Sequence, residues 1–129
     1  MEEKHKEFIL YGLTKHNEII TEIIQDLNLF YCHYDIKLIL MEALTNAFIH
    51  GNISNKDKPI YLRYKYYGNK IIFEIEDCGT GFKKIPPLDN LSNDSLLSEN
   101  GRGLFLIKCF SDSLSLEGNK LIINKHLSI

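Results

Sequence analysis

The sequence lacks several features that mark particular classes of protein. It has no tryptophan. Its three cysteines, Cys32, Cys78 and Cys109, are scattered without a CxxC pair. That spacing argues against a disulfide framework and against a zinc cluster. No apolar run approaches the roughly 20 residues of a membrane span, and residues 1–7 are charged rather than a signal peptide. We therefore predict a cytoplasmic protein with reduced thiols and no contact with the membrane.

The chain also lacks an excess of positive charge. Fifteen Lys and Arg residues stand against 17 Asp and Glu residues, which gives a formal net charge of -2. Proteins that bind phosphate backbones usually carry a basic excess, so direct nucleic-acid binding is not predicted. What remains is ordinary: 129 residues, 44% hydrophobic and 25% charged. This composition is typical of a single globular domain, which we place at residues 1–129.

The spacing of apolar residues predicts strands where they alternate and helices where they recur every three or four positions. The predicted strands are 8–11, 60–66, 71–76, 113–116 and 121–126. The predicted helices are one that follows Thr14 as N-cap, one over 33–50 that ends at Gly51-Asn52, and one over 101–111. Gly68-Asn69 is typical of a two-residue hairpin turn. Together they predict an α+β fold, a two-layer sandwich with a mixed, mostly antiparallel sheet of about five strands against about three helices.

A first polar cluster lies on the second predicted helix. Glu42, Asn46 and His50 are spaced i, i+4 and i+8, so they share one stripe beside the apolar face. One interpretation is an amphipathic helix whose polar side meets water. The other is a shared pocket in which the carboxylate accepts a proton from a hydroxyl and the amide oxygen ligates a hard cation such as magnesium.

A second cluster, Asp77-Cys78-Gly79-Thr80-Gly81, follows the third predicted strand. Two glycines spaced two apart allow a ligand to approach the backbone closely. The acid before them can accept a hydrogen bond from an amino group. An ordinary turn would have the same composition.

A third cluster, Asn100-Gly101-Arg102-Gly103, opens the last predicted helix. Glycine backbone and the free N–H groups of a helix start favour phosphate binding, and Arg102 can add a charge-assisted contact. A plain loop-to-helix junction is the alternative. The segment 83–99, with Pro86-Pro87, lies between the second and third clusters and predicts a long loop hinged on glycines, able to close over a ligand.

In this order and setting the three clusters resemble the N, G1 and G2 boxes of the GHKL (histidine-kinase-like) ATPase superfamily, over roughly residues 6–128. The run Glu42-Ala-Leu-Thr-Asn-Ala-Phe-Ile-His-Gly51 is particularly similar to the N box of bacterial anti-sigma factors that are serine-protein kinases. The resemblance implies the Bergerat ATP-binding fold.

The resemblance also implies roles for individual residues. Glu42 matches the catalytic base and Asn46 the Mg²⁺ ligand. Asp77 matches the acid that recognises the adenine amino group, and Gly79 and Gly81 match the glycines under the nucleotide, ATP or ADP.

On the phosphate side, Gly101 and Gly103 match the glycines at the end of the lid, and 83–99 matches the lid itself. The phosphate contact of Arg102 is our own inference, because the family position is variable. Where the family often has Gly-Thr-Thr entering the last strand, this chain has Gly-Asn-Lys at 118–120.

By resemblance we expect a serine-protein kinase and anti-sigma factor. It would use ATP and Mg²⁺ to phosphorylate a serine on an anti-anti-sigma (STAS-domain) antagonist, sequester a sigma factor and form a homodimer. Three alternatives stay open: a nucleotide-gated sigma-binding module without kinase activity, the excised ATPase domain of a sensor histidine kinase, and a structural α+β interaction protein whose pocket does not bind nucleotide. A phospho-acceptor helix pair does not fit before Glu42, which favours the small kinase.

Overall fold

The computed structural model describes residues 3–79 and 99–127, of which 99–102 are described by their backbone alone. In these ranges the chain forms five strands and three α-helices in the order β-α-α-β-β-α-β-β, with a 3-10 turn (Phe30–Cys32) before the second helix and a π-helical turn (Ala47–Gly51) after it. The strands are β1 Lys4–Tyr11, β2 Pro59–Tyr66, β3 Lys70–Glu76, β4 Ser113–Glu117 and β5 Lys120–His126. The helices are α1 His16–Asp26, α2 His33–Asn46 and α3 Glu99–Phe110.

The five strands form one sheet in the order β1-β2-β3-β5-β4, with every neighbouring pair antiparallel. The predicted turn between β2 and β3 is present, because Tyr67 N–H donates to the Lys70 carbonyl at 2.9 Å. Gly68 there has a φ of 89°, as the first central residue of a type II′ turn requires. The α+β fold class is confirmed.

Alternation along the strands decides which side chains enter the core. Leu62, Phe73 and Ile123 are fully buried on the face that the helices cover. The helical stripe predicted on α2 is also buried, with Ile39 and Leu44 at 0% exposure. Because α2 contacts both α1 and α3, it is the central helix of its layer, and whatever its sides carry lies near both neighbours.

The predicted starts of three elements, α1, β1 and α3, were wrong. Helix α3 begins at Glu99 rather than at residue 101. Helix α1 begins at His16 after Lys15, with no side-chain cap, so Thr14 is not its N-cap. Strand β1 begins at Lys4 rather than at residue 8, since it pairs with β2 along its whole length, from Lys4 opposite Tyr66 onward. Pairing with a neighbour extends this edge strand into a charged segment that its own composition does not favour.

The end of the second helix also differs from the prediction. The α-helix stops at Asn46 and continues as a wider π-helical turn, closed by a hydrogen bond from Asn52 N–H to the Ala47 carbonyl at 2.8 Å. Positive φ falls on Ile53 and Ser54, not on Gly51. Gly51 is therefore not a left-handed helix cap, and its lack of a side chain has another cause.

Gly81 and most of the predicted lid, 83–99, lie outside the described residues. Within the described ranges, no helix has the length and apolarity that a membrane crossing needs. Cys32, Cys78 and Cys109 are free thiols. Burial raises the pKa of the Cys32 thiol, which keeps it protonated.

Candidate functional site

The polar side of α2 lies at the border of the core. Glu42 and Asn46 are one helical turn apart and half-buried, while their neighbours Ala43 and Ala47 are buried. The i, i+4 spacing therefore places a carboxylate and a carboxamide on the same side of the helix. Both remain accessible from outside, as groups that act on a ligand must be.

The start of α3 lies directly against Glu42. A Cβ atom built on the buried Gly103 would be 3.1 Å from Glu42 Oε2. That distance is shorter than an ordinary van der Waals contact, so a glycine lets α3 approach this carboxylate without displacing it. The first predicted cluster on α2 and the third on α3 are thus in contact.

The other end of the α2 segment lies against the second cluster. A Cβ atom on Gly51 would be 2.2 Å from Asp77 Oδ2 and 2.8 Å from Oδ1. The Asp77 carboxylate, 3% exposed, occupies the space that a side chain on Gly51 would need. Gly51 is therefore a glycine because the carboxylate packs on its backbone.

Gly79 is confined in the same way. A Cβ atom there would be 2.6 Å from the Gly51 carbonyl oxygen and 2.9 Å from Asp77 Oδ1. The Gly79 N–H donates to Asp77 Oδ1 at 2.8 Å. The backbone of Gly51, the carboxylate of Asp77 and the backbone of Gly79 form one close-packed group.

Two asparagine side chains hold the backbone that follows Asp77. Asn52 is completely buried, and its Oδ1 accepts a hydrogen bond from Cys78 N–H at 2.7 Å. Asn119, in the turn between β4 and β5, donates from Nδ2 to the Gly79 carbonyl at 2.8 Å. Its Oδ1 is buried, without a hydrogen-bond partner in the part of the chain that the structure describes. A buried acceptor without a donor is a position at which a ligand or a water molecule is expected.

The structure therefore brings most of the predicted site residues together around one helix. Glu42 meets Gly103 at one end, and Asp77 and Gly79 meet Gly51 at the other. Asn46 lies between Glu42 and Gly51 along the helix. Gly101 and Arg102 lie in the first turn of α3, where only their backbone is described, and Gly81 lies outside the described residues.

Sequence reasoning missed two of these residues. Gly51 was in the first motif but had no role, because a glycine after a helix is usually explained by its φ angle. Asn52 was interpreted as part of the helix end, since asparagine is common there. A buried asparagine becomes visible only when its partners, 26 residues away at Cys78 and six at Lys58, are brought to it by the fold.

These residues fit an adenine nucleotide with Mg²⁺. Asp77 provides a buried carboxylate acceptor, and the start of α3 provides N–H groups at the positive end of a helix dipole. Residues 3–79 and 99–127 contain no cluster of three metal-binding side chains. Mg²⁺ usually binds one or two protein oxygens and takes its other ligands from phosphate and water, and the Asn46 amide oxygen could be such a ligand.

Comparison with known proteins shows the family to which the chain belongs. A family profile described as the Histidine kinase-like ATPase domain matches residues 14–125. The matched range includes Glu42, Asn46, Asp77, Gly79 and Gly103, together with Gly81, Gly101 and Arg102. The resemblance inferred from the three motifs is therefore confirmed at the level of the superfamily.

Curated relatives carry more specific names. The chain is 29% identical over 103 residues to "Serine-protein kinase RsbW" of Listeria monocytogenes, covering 73% of this chain and 66% of that protein. It is 32% identical over 104 residues to "Anti-sigma F factor" of Priestia megaterium, covering 73% and 69%. It is also 32% identical over 100 residues to "Anti-sigma F factor" of Clostridium kluyveri, covering 70% and 68%. The chain thus spans about two thirds of the length of the relatives it matches.

Proposed function

Because the chain belongs to the histidine kinase-like ATPase domain family, we propose that it is an ATP-dependent serine-protein kinase that acts as an anti-sigma factor. One observation carries the proposal. The segment from Glu42 to Gly51 contacts both glycine-containing motifs, through Glu42 against Gly103 and through Gly51 against Asp77. One continuous segment, α2 and the π-helical turn after it, thereby connects the group proposed to recognise the base with the group proposed to accept a proton.

In this proposal Asp77 recognises adenine. Its carboxylate is fixed by packing on Gly51 and by the hydrogen bond from Gly79 N–H. A fixed acceptor favours the amino group of adenine, and it opposes the carbonyl oxygen that guanine carries at the same ring position. Gly79 and Gly81 would lie under the nucleotide.

The phosphates would lie between the polar side of α2 and the start of α3. Gly101, Arg102 and Gly103 would face them: Gly101 with its backbone N–H in the first turn of the helix, Arg102 with its guanidinium, and Gly103 by the close approach that its lack of a side chain allows. Asn46 would hold Mg²⁺ through its amide oxygen. When bound, Mg²⁺ supplies neutralisation of the charge on the phosphate oxygens.

Glu42 would act on the attacking serine. The serine Oγ forms a bond to the γ-phosphorus as the bond from that phosphorus to the oxygen of ADP breaks, and the serine proton passes to the Glu42 carboxylate. Glu42 is half-buried and borders the start of α3. It can therefore meet a protein substrate from outside while facing the phosphate side of the site.

The partners follow from the names of the relatives and from the motif resemblance. We propose that the chain sequesters a sigma factor, that its phosphorylated substrate is a STAS-domain antagonist, and that it works as a homodimer in the cytoplasm. A phosphoserine adds about two negative charges. At a contact surface that charge would release the antagonist and leave the kinase free to hold its sigma factor.

The experiment that tests the proposal measures label transfer. The full chain is incubated with Mg²⁺, γ-labelled ATP and a candidate STAS-domain protein, and the labelled residue is identified. Transfer to serine is expected from the wild-type chain. Asp77→Asn is expected to lower it strongly at ATP concentrations below saturation, because an amide in place of the carboxylate turns one fixed acceptor oxygen into a donor and disturbs the bond to Gly79 N–H.

Calorimetry with ADP and Mg²⁺ shows whether the loss of transfer in Asp77→Asn comes from weaker nucleotide binding. Asp77→Asn is expected to weaken ADP binding by about tenfold to a hundredfold, the value of a hydrogen bond to a charged group. Equal ADP binding by the wild type and this variant would remove Asp77 from the base site. A wild-type chain that binds ADP but labels no antagonist would instead support the binding-module alternative.

Replacement of Gly103 by Ala tests the contact between α3 and Glu42. The new Cβ would lie 3.1 Å from Glu42 Oε2, so the carboxylate must move by a few tenths of an ångström. We expect transfer to fall by about tenfold, because a misplacement of about 1 Å can cost a hundredfold, while ADP binding stays near wild type. Steady-state transfer rates and ADP titrations measure both.

The same variant carries its own stability control. Alanine is a better helix former than glycine by up to about 1 kcal/mol, so the melting temperature of Gly103→Ala is expected to be equal or higher. A lower transfer rate in a more stable protein cannot come from unfolding. An unchanged rate would show that Glu42 tolerates the displacement and that its position is not critical.

A further inference from the structure

Two side-chain amides meet the segment Asp77-Cys78-Gly79 from opposite sides. Asn52 reaches it from the end of the π-helical turn, and Asn119 from the turn between β4 and β5. Neither residue contacts the nucleotide in the function proposed above. Strand β3 ends at Glu76, so this segment has left the ladder that would otherwise fix its backbone.

Asn52 joins three parts of the fold. Its Oδ1 accepts from Cys78 N–H at 2.7 Å, and its Nδ2 donates to the carbonyls of Lys58 at 3.1 Å and Pro59 at 3.2 Å. Its own N–H closes the π-helical turn on Ala47. The side chain is completely buried, and both amide hydrogens and the carbonyl oxygen are used. A buried amide with every partner in place is rigid, and its loss leaves several groups unpaired.

Asn119 holds the same segment from the sheet side. The main-chain carbonyl oxygen of Asn119 accepts from Asp77 N–H at 3.2 Å, and its side-chain Nδ2 donates to the Gly79 carbonyl at 2.8 Å. With the Cys78 N–H held by Asn52 and the Gly79 N–H by Asp77 itself, the N–H groups of all three residues and the carbonyl of Gly79 are engaged. The direction of the Asp77 side chain is set by this backbone.

We propose that Asn52 and Asn119 are positioning residues that fix the Asp77 carboxylate and thereby set the preference for adenine over guanine. The inference rests on the proposed function, since it assumes that Asp77 faces the base. Asn52 also makes the position of Asp77 depend on the end of the helix that carries Glu42 and Asn46. The base site and the catalytic helix would then keep one fixed relation.

The test measures base discrimination rather than affinity alone. Dissociation constants for ADP and GDP, each with Mg²⁺, are determined for the wild type, Asn52→Ala and Asn119→Ala by competition against a fluorescent adenine nucleotide. A partly unfolded population weakens the apparent binding of both nucleotides by the same factor. The ratio of the two constants therefore responds to the position of Asp77 and not to stability.

Each variant is expected to lose about tenfold or more of the ADP-to-GDP preference, the value of one hydrogen bond to a charged group. Asn55→Ala is the matched control, because Asn55 is exposed in the same loop and its side-chain Oδ1 accepts from Asp57 N–H at 2.9 Å, within the loop itself. Its ratio is expected to equal that of the wild type. Asn119 is half-buried in a hairpin turn, so we expect Asn119→Ala to fold. This variant therefore tests the proposal even if Asn52→Ala does not fold.

Two failures are distinguishable. If the wild type prefers ADP and a folded Asn119→Ala or Asn52→Ala keeps the full preference, the positioning role is wrong and the proposed function stands. If the wild type binds neither nucleotide, the proposed function is wrong, and the positioning role of Asn52 and Asn119 is wrong with it.

Discussion

Replacement of Glu42 by Gln is expected to lower phosphoryl transfer to the serine substrate by about a hundredfold to ten-thousandfold, the usual contribution of a general base. Glutamine keeps the size and polarity of the side chain, but it cannot accept the serine proton. Because Glu42 is half-buried beside Gly103, the substitution fits the same space. ADP binding and the melting temperature are therefore expected to stay close to those of the wild type.

Single-turnover transfer isolates the chemical step when labelled ATP and the substrate protein are both present above their dissociation constants. Glu18→Gln is a suitable control, since it removes one carboxylate from an exposed position of α1 without touching α2. Unchanged transfer in Glu42→Gln would remove Glu42 from the mechanism. The result also separates the kinase from a nucleotide-gated binding module, in which the wild type itself transfers nothing.

The sequence was sufficient to predict those parts of the site that depend on local periodicity. The i, i+4 spacing of Glu42 and Asn46 is a property of any α-helix, and it placed both side chains on one side of α2. The alternation of apolar residues in β2 and β3 likewise predicted both strands, with β3 running directly into Asp77. These relations extend over a few residues, and no distant contact is needed to establish them.

The relations that the sequence could not provide are all long-range. The contact of Gly51 with Asp77 joins residues 26 positions apart, and the bond from Asn119 to Gly79 joins residues 40 apart. Each depends on how the end of a helix packs against the end of a sheet. The π-helical turn after Asn46 shifts Gly51 and Asn52 relative to an α-helix, and no propensity scale predicts that shift.

Gly51 belongs to the predicted motif, but the usual reason for a glycine at the end of a helix does not apply to it. The pair Gly51-Asn52 follows a helix, which suggests a residue selected for a left-handed conformation. Its φ is not positive, so alanine would fit the backbone itself. What excludes alanine is the Asp77 carboxylate, and the two explanations predict different results for the same substitution.

Replacement of Gly51 by Ala is therefore expected to abolish tight ADP binding. The new Cβ would lie 2.2 Å from Asp77 Oδ2, 2.3 Å from Cγ and 2.8 Å from Oδ1. The carboxylate is buried and tied to Gly79 N–H at 2.8 Å, so it must leave its position and break that bond. We expect a loss of ADP affinity of about tenfold to a hundredfold, and a loss of about 1–3 kcal/mol in the free energy of unfolding from overpacking.

Gly12→Ala provides the control that separates the two losses. Gly12 has a φ of 69°, and a Cβ there would meet only Lys56 Cγ, at 3.7 Å. Its replacement strains the backbone by about 1–2 kcal/mol in the turn between β1 and α1, so stability falls while the base site is untouched. Denaturant unfolding and ADP calorimetry on both variants are expected to show similar destabilisation but loss of binding in Gly51→Ala alone. If Gly51→Ala bound ADP like Gly12→Ala, the Asp77 carboxylate would not be the group that holds the nucleotide, because its displacement would then have no effect on binding.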